Sequence, residues 1–119
     1  MTRDEFDQYV RTHGGYAITL RLLRSDEGGR QTPLLGGQEY RANWSIDSLD
    51  PGQQCGGPIF IDGHALGFGE ACTARMVPLF PDEHEFWSNV NVGSRLTAFE
   101  GHRAVASAVV TARLPPDPG

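Results

Sequence analysis

The sequence contains no lysine, and all ten of its basic residues are arginine. The net charge at pH 7 is −5, so the chain lacks the broad basic surface that holds DNA or RNA backbones, although a local stripe of arginines is not excluded. Without lysine there is no G-x-x-x-x-G-K-[ST] loop to cradle the phosphates of GTP. The composition therefore excludes a nucleotide-hydrolysing enzyme of that class, and no DNA binding is expected.

Long apolar runs are also absent. No stretch approaches the ~18 apolar residues of a transmembrane helix. The charged N-terminus, MTRDEFDQYVRT, lacks the apolar core of a secretory signal peptide. We therefore expect a cytoplasmic protein that does not insert into a membrane.

Cysteine is scarce, with only Cys55 and Cys72. A core built from 119 residues does not need a disulfide and nothing indicates secretion, so we expect two free thiols rather than a bridge. Together with His64 the cysteines have the spacing C-x8-H-x7-C, which matches no compact zinc pattern. We expect neither a metal site nor another cofactor.

Glycine and proline, by contrast, are plentiful, with 15 and 8 residues, which favours many turns and a β-rich fold. A length of 119 residues fits one core. We expect a helix and its cap at 1–15, a β-domain at 16–114 and a disordered proline-rich tail at 115–119.

The N-terminal segment has the signals of one short helix. Thr2 and Glu5 have the spacing of a capping box, in which each side chain binds the other residue's backbone N–H. Gly14 and Gly15 supply a left-handed stop. The apolar stripe that would pack this helix on the core consists of Phe6, Tyr9 and Val10.

From Tyr16 onward, short runs of apolar residues, alternating in places, indicate strands bounded by turns. Asp62-Gly63 is the strongest hairpin signal, because a two-residue turn of type I′ needs positive φ at both positions. Strands of this number and spacing predict a closed antiparallel barrel or a sandwich. The strand segments are 16–23, 40–46, 58–61, 64–68, 71–79, 95–99 and 105–113.

Two motifs near the ends resemble the third domain of bacterial elongation factor Tu and its relatives among the translational GTPases. LRSDEGGRQTPLL is similar to the acidic-Gly-Gly-Arg-x-Thr-Pro turn at the start of that domain, and FEGHRAVASAVVTARL to its closing strand pair. YRANWSI and GEACTARMVPLFP, between them, are weaker matches in the same order. The resemblance covers residues 16–114 and implies an antiparallel β-barrel of six to seven strands.

The first motif has two interpretations. By the resemblance, Arg30, Gln31 and Thr32 contact the phosphates and ribose of a tRNA T-stem. The glycines before them also explain the motif without any ligand, since they let the chain fold back sharply after the first strand. Asp26 and Glu27 place negative charge beside Arg30, which opposes a phosphate contact.

The second motif is equally open. The resemblance implies that Gly101, His102 and Arg103 form the other half of the surface that binds tRNA or a protein. Without a partner, they form a hairpin turn in which Glu100 and Arg103 make an ion pair, worth ~0–1 kcal/mol when exposed. The sequence departs from the family at two positions. The family has glycine at the position of His102 and usually has arginine at the position of Phe99.

The segment 81–94 is longer than the corresponding family loop. Phe86 and Trp87 stand there among acidic residues, which suits an exposed aromatic anchor for a protein partner. The alternative is that both rings fold back and plug one mouth of the barrel.

These observations predict a non-enzymatic binding module. Its expected partner is a protein, either a translation factor or a toxin, and in the second case the chain would be an immunity protein. The alternative is an RNA-binding domain that contacts the tRNA T-stem. No catalytic motif is present, and the best-placed base for an enzyme would be His102 beside Glu100.

Overall fold

The computed structural model describes residues 2–24, 26, 29, 33, 34, 36, 39–47, 54–61, 66–78 and 84–117. The helices are α1 (Arg3–His13) and α2 (His84–Trp87). The strands are β1 (Gly15–Leu22), β2 (Glu39–Tyr40), β3 (Asn43–Ile46), β4 (Cys55–Gly56), β5 (Ile59–Ile61), β6 (Ala71–Met76), β7 (Arg95–Glu100) and β8 (Arg103–Leu114).

The capping box predicted for the N-terminal helix is confirmed. The Thr2 hydroxyl accepts the backbone N–H of Glu5, and the Glu5 carboxylate accepts that of Thr2. Gly14 ends the helix with a φ of 79° and donates its N–H to the Val10 carbonyl. The signals at both ends of α1 therefore act locally, as expected of capping interactions.

Helix α1 packs on the outside of the sheet through a small cluster of its own. Phe6 is fully buried against Phe60 and Val77, with the Phe6 and Phe60 ring centroids 5.7 Å apart. Phe60 faces outward because its neighbours in β5 face the main core, and successive side chains of a strand alternate. The expected stripe is confirmed, since Tyr9 and Val10 border the same cluster.

All eight strands belong to one antiparallel sheet, in the order β2-β5-β6-β1-β8-β7-β3-β4. The first two and the last two strands of this order come from only two segments of the chain. β2 and β3 lie in segment 39–46, and β4 and β5 lie in segment 55–61. The β2–β5 and β3–β4 pairs share one register, so they are two parts of a single antiparallel pairing between segments 39–46 and 55–61. Between the two parts, the Gly57 N–H donates to the Ala42 carbonyl. The strands thus form six chain segments whose pairings close into a ring, which confirms the predicted all-β barrel.

Strand β8 carries two bulges, which favour the curvature that this closure needs. Its pairing with β7 skips Val105, and its pairing with β1 skips Thr111. An extra residue of this kind bends the strand and increases its twist. Val105 and the adjacent Ala106 are both fully buried, as the first bulge requires.

The described part of the predicted strand at 64–68, residues 66–68, does not form a strand and does not pair with β5. β5 has β2 on one side and β6 on the other, so neither of its edges is left for a strand that follows it directly. Of the described residues 66–68, only Leu66 makes a bridge, to Leu34. The Asp62-Gly63 turn itself lies outside the described residues.

The C-terminal residues 115–117 lie against α1, where the sequence predicted a disordered tail. The Asp117 N–H donates to the Arg11 carbonyl at 2.8 Å. That carbonyl is in the last turn of the helix and has no intrahelical donor, so the tail supplies one. Residues 118 and 119 lie outside the described residues.

Candidate binding site at one end of the barrel

The two ends of the barrel are built differently. One, here called the turn end, consists of residues 22–24, 66–70 and 100–103. The Leu22 N–H donates to the Glu70 carbonyl at 3.1 Å and the Leu23 N–H to the Val105 carbonyl at 3.0 Å, so these segments lie side by side. The other, the plug end, is closed by residues 86–90.

The structure brings the start of the first sequence motif, at Leu23, next to the second motif at the turn end. Gly29 donates its N–H to the Arg24 carbonyl at 3.3 Å, and a Cβ at Gly29 would lie 2.7 Å from the Leu23 carbonyl oxygen. This corner therefore folds onto the end of β1, beside the start of β8. Arg30, Gln31 and Thr32, the site residues of the first motif, lie outside the described residues.

The turn at 100–103 presents its residues to solvent. Gly101 has a φ of 63°, whereas His102 does not have a positive φ. Positive φ at the first central residue alone is the requirement of a type II′ hairpin turn. His102 thus stands at a position of the turn that needs no glycine, and Gly101, His102 and Arg103 are all exposed.

The ion pair considered between Glu100 and Arg103 is absent from the described structure. The two residues are partners across the hairpin, but the Glu100 carboxylate accepts a hydrogen bond from the Tyr40 hydroxyl, 60 residues away. Arg103 makes no ion pair or hydrogen bond through its side chain with the described residues. The turn end therefore presents a guanidinium to solvent.

A cleft of about 270 Å³ adjoins this turn. It opens where the pairing between segments 39–46 and 55–61 is interrupted at Ala42 and Pro58. Arg41 lines the cleft. Its Nε lies 2.6 Å from the Glu39 carboxylate, which holds the side chain in place. The remaining lining residues are Asn43, Gly56, Gly57, Phe99, Glu100 and Gly101.

The Glu39 carboxylate beside this cleft stays ionised at neutral pH. Burial raises the pKa of Glu39. The hydrogen bond from Arg41 lowers it, and so do the charge of Arg41 and a further positive charge nearby. Together these effects outweigh burial and leave the pKa below its ordinary value. Glu39 therefore neutralises the charge of Arg41 at the cleft.

Phe86 and Trp87 fold back into the plug end and do not form an exposed anchor. They are 3% and 5% exposed. Trp87 stacks on Tyr16 with ring centroids 6.0 Å apart, and the Tyr16 hydroxyl donates to the Trp87 carbonyl at 3.4 Å. Burying two aromatic rings stabilises the folded chain through the hydrophobic effect, whereas exposing them would not. The structure therefore agrees with the interpretation in which both rings plug one mouth of the barrel.

The two tryptophans meet inside the barrel with different hydrogen bonding. The Trp44 indole donates to the Gly57 carbonyl at 2.6 Å. The Trp87 indole N–H is buried and has no hydrogen-bond partner among the described residues. Such an orphaned donor is uncommon in native structures and costs free energy of folding.

Other chemistry is sparse in the part of the chain that the structure describes. Cys55 and Cys72 are free thiols, and burial raises the pKa of Cys72. No three His, Cys, Asp or Glu side chains among the described residues are close enough together to hold a metal ion. No helix among them is long and apolar enough to cross a membrane.

Comparison with known proteins finds no family model that matches the chain and no curated protein that is similar at a significant level. The resemblance to the third domain of elongation factor Tu stays a prediction from the motifs.

Sequence reasoning missed the cleft and its neighbours Tyr40 and Arg41. Tyr40 was identified only as the first residue of a strand, and nothing local in the sequence indicates that it reaches Glu100.

Proposed function

We propose that the protein is a non-enzymatic binding module that holds a protein partner at the turn end of its barrel. The observation that carries this proposal is the meeting of the two sequence motifs at one end, where Gly101, His102 and Arg103 are exposed on a short hairpin. A rigid sheet that presents exposed side chains on its turns is a common arrangement for recognition.

The resemblance to the third domain of elongation factor Tu supports the same proposal. A ring of antiparallel segments with both motifs at one end is the arrangement that the resemblance requires. The proposed partner is then a protein that normally binds such a domain, either a translation factor or a toxin. Net charge −5 favours a protein over a polyanionic RNA.

The test is affinity for a partner recovered from the native host and then purified. We expect Arg103→Ala to weaken binding about thirtyfold or more, which corresponds to the ~2 kcal/mol of an interface hot spot. Arg95→Ala is the matched control, because Arg95 is an exposed arginine of β7 at the opposite end of the barrel. Equal affinities of the two variants would place the partner elsewhere, and recovery of no stoichiometric partner would contradict the proposal.

A second candidate, binding of the tRNA T-stem backbone, is favoured by one observation, the solvent-exposed guanidinium of Arg103. Each phosphate neutralised by arginine releases counterions, so this binding should weaken steeply as salt increases. Gel shifts with total tRNA at low salt test it, with Arg30→Glu and Arg103→Glu as loss-of-binding variants. If wild-type protein produces no shift, the RNA hypothesis is wrong.

A further inference from the structure

We propose that helix α1 is exchanged between two copies of the chain, so that the α1 of each copy packs on the barrel of the other. The described residues that α1 covers lie on the outer face of β5 and at the end of β6, and none of them belongs to the turn end. The exchange is therefore a second interaction, separate from the proposed partner, and either can exist without the other.

The attachment of α1 is separate from the main core. Phe6 is its only fully buried residue, and it packs with Phe60 and Val77 in a cluster of their own. In the part of the chain that the structure describes, no residue of α1 belongs to the main core or to the strand pairing that closes the ring. Helix α1 can therefore leave its barrel while the ring stays closed.

Departure of α1 leaves an apolar surface that needs a new cover. Phe60 and Val77 are 2% and 0% exposed beneath the helix. Both stand on the outside of the sheet, where water would take the place of α1. The hydrophobic effect therefore favours another helix of matching shape on this site.

The polar contacts of α1 specify which helix fits. The Asp7 carboxylate pairs with Arg75, whose Cζ also lies 5.5 Å from the centroid of the Phe6 ring. The Tyr9 hydroxyl donates to the Pro78 carbonyl at 3.1 Å. The surface thus recognises the sequence Phe-Asp-x-Tyr on a helix, and a second copy of the chain presents that sequence.

The connection between α1 and β1 permits this exchange. It consists of Gly14 alone, which has a φ of 79°. A Cβ at Gly14 would lie 2.8 Å from the Leu114 carbonyl oxygen, so the chain turns tightly against the end of β8. Glycine adopts extended conformations as readily, and an extended Gly14 directs α1 away from its own barrel. Short connections of this kind favour exchange between copies, because a chain that folds back tightly loses little by extending to a neighbour.

The experiment mixes two full-chain variants, Asp7→Arg and Arg75→Asp. In either variant alone, α1 and the barrel present like charges to each other, both within one chain and between identical copies. In the mixture, an exchanged dimer brings opposite charges together twice, because the helix of each variant meets the barrel of the other. We expect the dimer fraction, measured by size-exclusion chromatography with light scattering, to be at least about tenfold larger in the mixture than in either variant at the same total concentration.

The control combines both substitutions in one chain. The double variant restores the ion pair within the chain, so it should have the dimer fraction of wild type. Mixing it with wild type should produce no additional dimer, since exchange would then bring like charges together. A dimer fraction that does not rise when the two single variants are mixed would overturn the proposal, and so would an equal rise in both mixtures.

A second pair of variants tests the connection and remains decisive if a charge variant does not fold. Gly14→Ala strains the closed arrangement, through the positive φ and the close Leu114 carbonyl, but not an extended one. It should raise the dimer fraction severalfold. Gly93→Ala is the matched control, since Gly93 also has a positive φ, 92°, and lies outside α1 and its connection to β1. Equal dimer fractions of the two alanine variants would overturn the proposal.

Discussion

The backbone N–H of Gly57 donates to the carbonyl of Ala42 at 3.1 Å. This bond joins the β2–β5 and β3–β4 pairs into one hairpin, and that hairpin connects the two ends of the sheet order. Among the described residues, each of the six segments pairs with a segment on either side over part of its length, which shortens the free edges at which sheets aggregate. The cleft lies beside this bond, where pairing is interrupted between Tyr40–Ile59 and Asn43–Gly56.

Gly57→Ala should destabilise the protein. A Cβ at this position would lie 2.9 Å from Cδ1 of Trp44 and 3.0 Å from Cη2 of Trp87, both packed core rings. Overpacking of this kind costs about 1–3 kcal/mol, which urea denaturation followed by circular dichroism would measure. Thr73→Ala, at an exposed position of β6, is the control and should change stability by less than ~0.5 kcal/mol.

Trp44→Phe should cost more stability than Trp87→Phe, although both remove the same atoms from the core. The first leaves the buried Gly57 carbonyl without its donor, whereas the second removes an indole N–H that has no partner in the described part of the chain. We expect the two unfolding free energies to differ by about 1–3 kcal/mol. Equal costs, or a larger cost for Trp87→Phe, would show that the Trp87 indole has a partner in solution.

Thr2→Ala should destabilise the protein by about 1 kcal/mol, because the Glu5 N–H loses its capping acceptor. Thr12→Ala makes the same substitution in the same helix, at an exposed residue whose hydroxyl only accepts from the Gln8 side chain. It should be neutral or slightly stabilising, since alanine has the higher helix propensity. Equal unfolding free energies of the two variants would mean that the capping box does not form in solution.

The Asp7–Arg75 ion pair should contribute stability at neutral pH and lose it in acid. The hydrogen bond from Arg75 is the main cause that holds the pKa of Asp7 below its ordinary value. A carboxylate with a lowered folded-state pKa stabilises fully above its unfolded pKa of about 3.9, and the contribution disappears as the pH falls through the folded value.

Asp7→Asn tests this contribution through unfolding free energies measured from pH 7 down to pH 2. Because both partners are partly exposed, we expect a difference from wild type of at most ~1 kcal/mol at pH 7. The difference should shrink as the pH falls below about 4, where the wild-type carboxylate becomes protonated. A difference that stays constant over this range would contradict an electrostatic role for Asp7.

Features decided within a few residues were predictable. The capping box of Thr2 and Glu5, the stop at Gly14, and most strands followed from spacing and alternation. The interruption of the predicted strand 40–46 at Arg41 and Ala42 was not predictable, because it depends on pairing with the segment 55–61, which is distant in the sequence. The strand expected at 64–68 failed for the same kind of reason: β5 was already paired on both sides by strands from elsewhere in the chain.

The sequence by itself determined an acidic, lysine-free chain with one capped helix, a set of short strands and two turn motifs, because these depend on composition and on neighbours along the chain. Only the tertiary structure decided that the strands close into a ring, that Phe86 and Trp87 are buried, and that Tyr40 reaches Glu100. Side chains 60 residues apart meet only when strand order and register are set. Those depend on how the whole core packs, which no local pattern encodes.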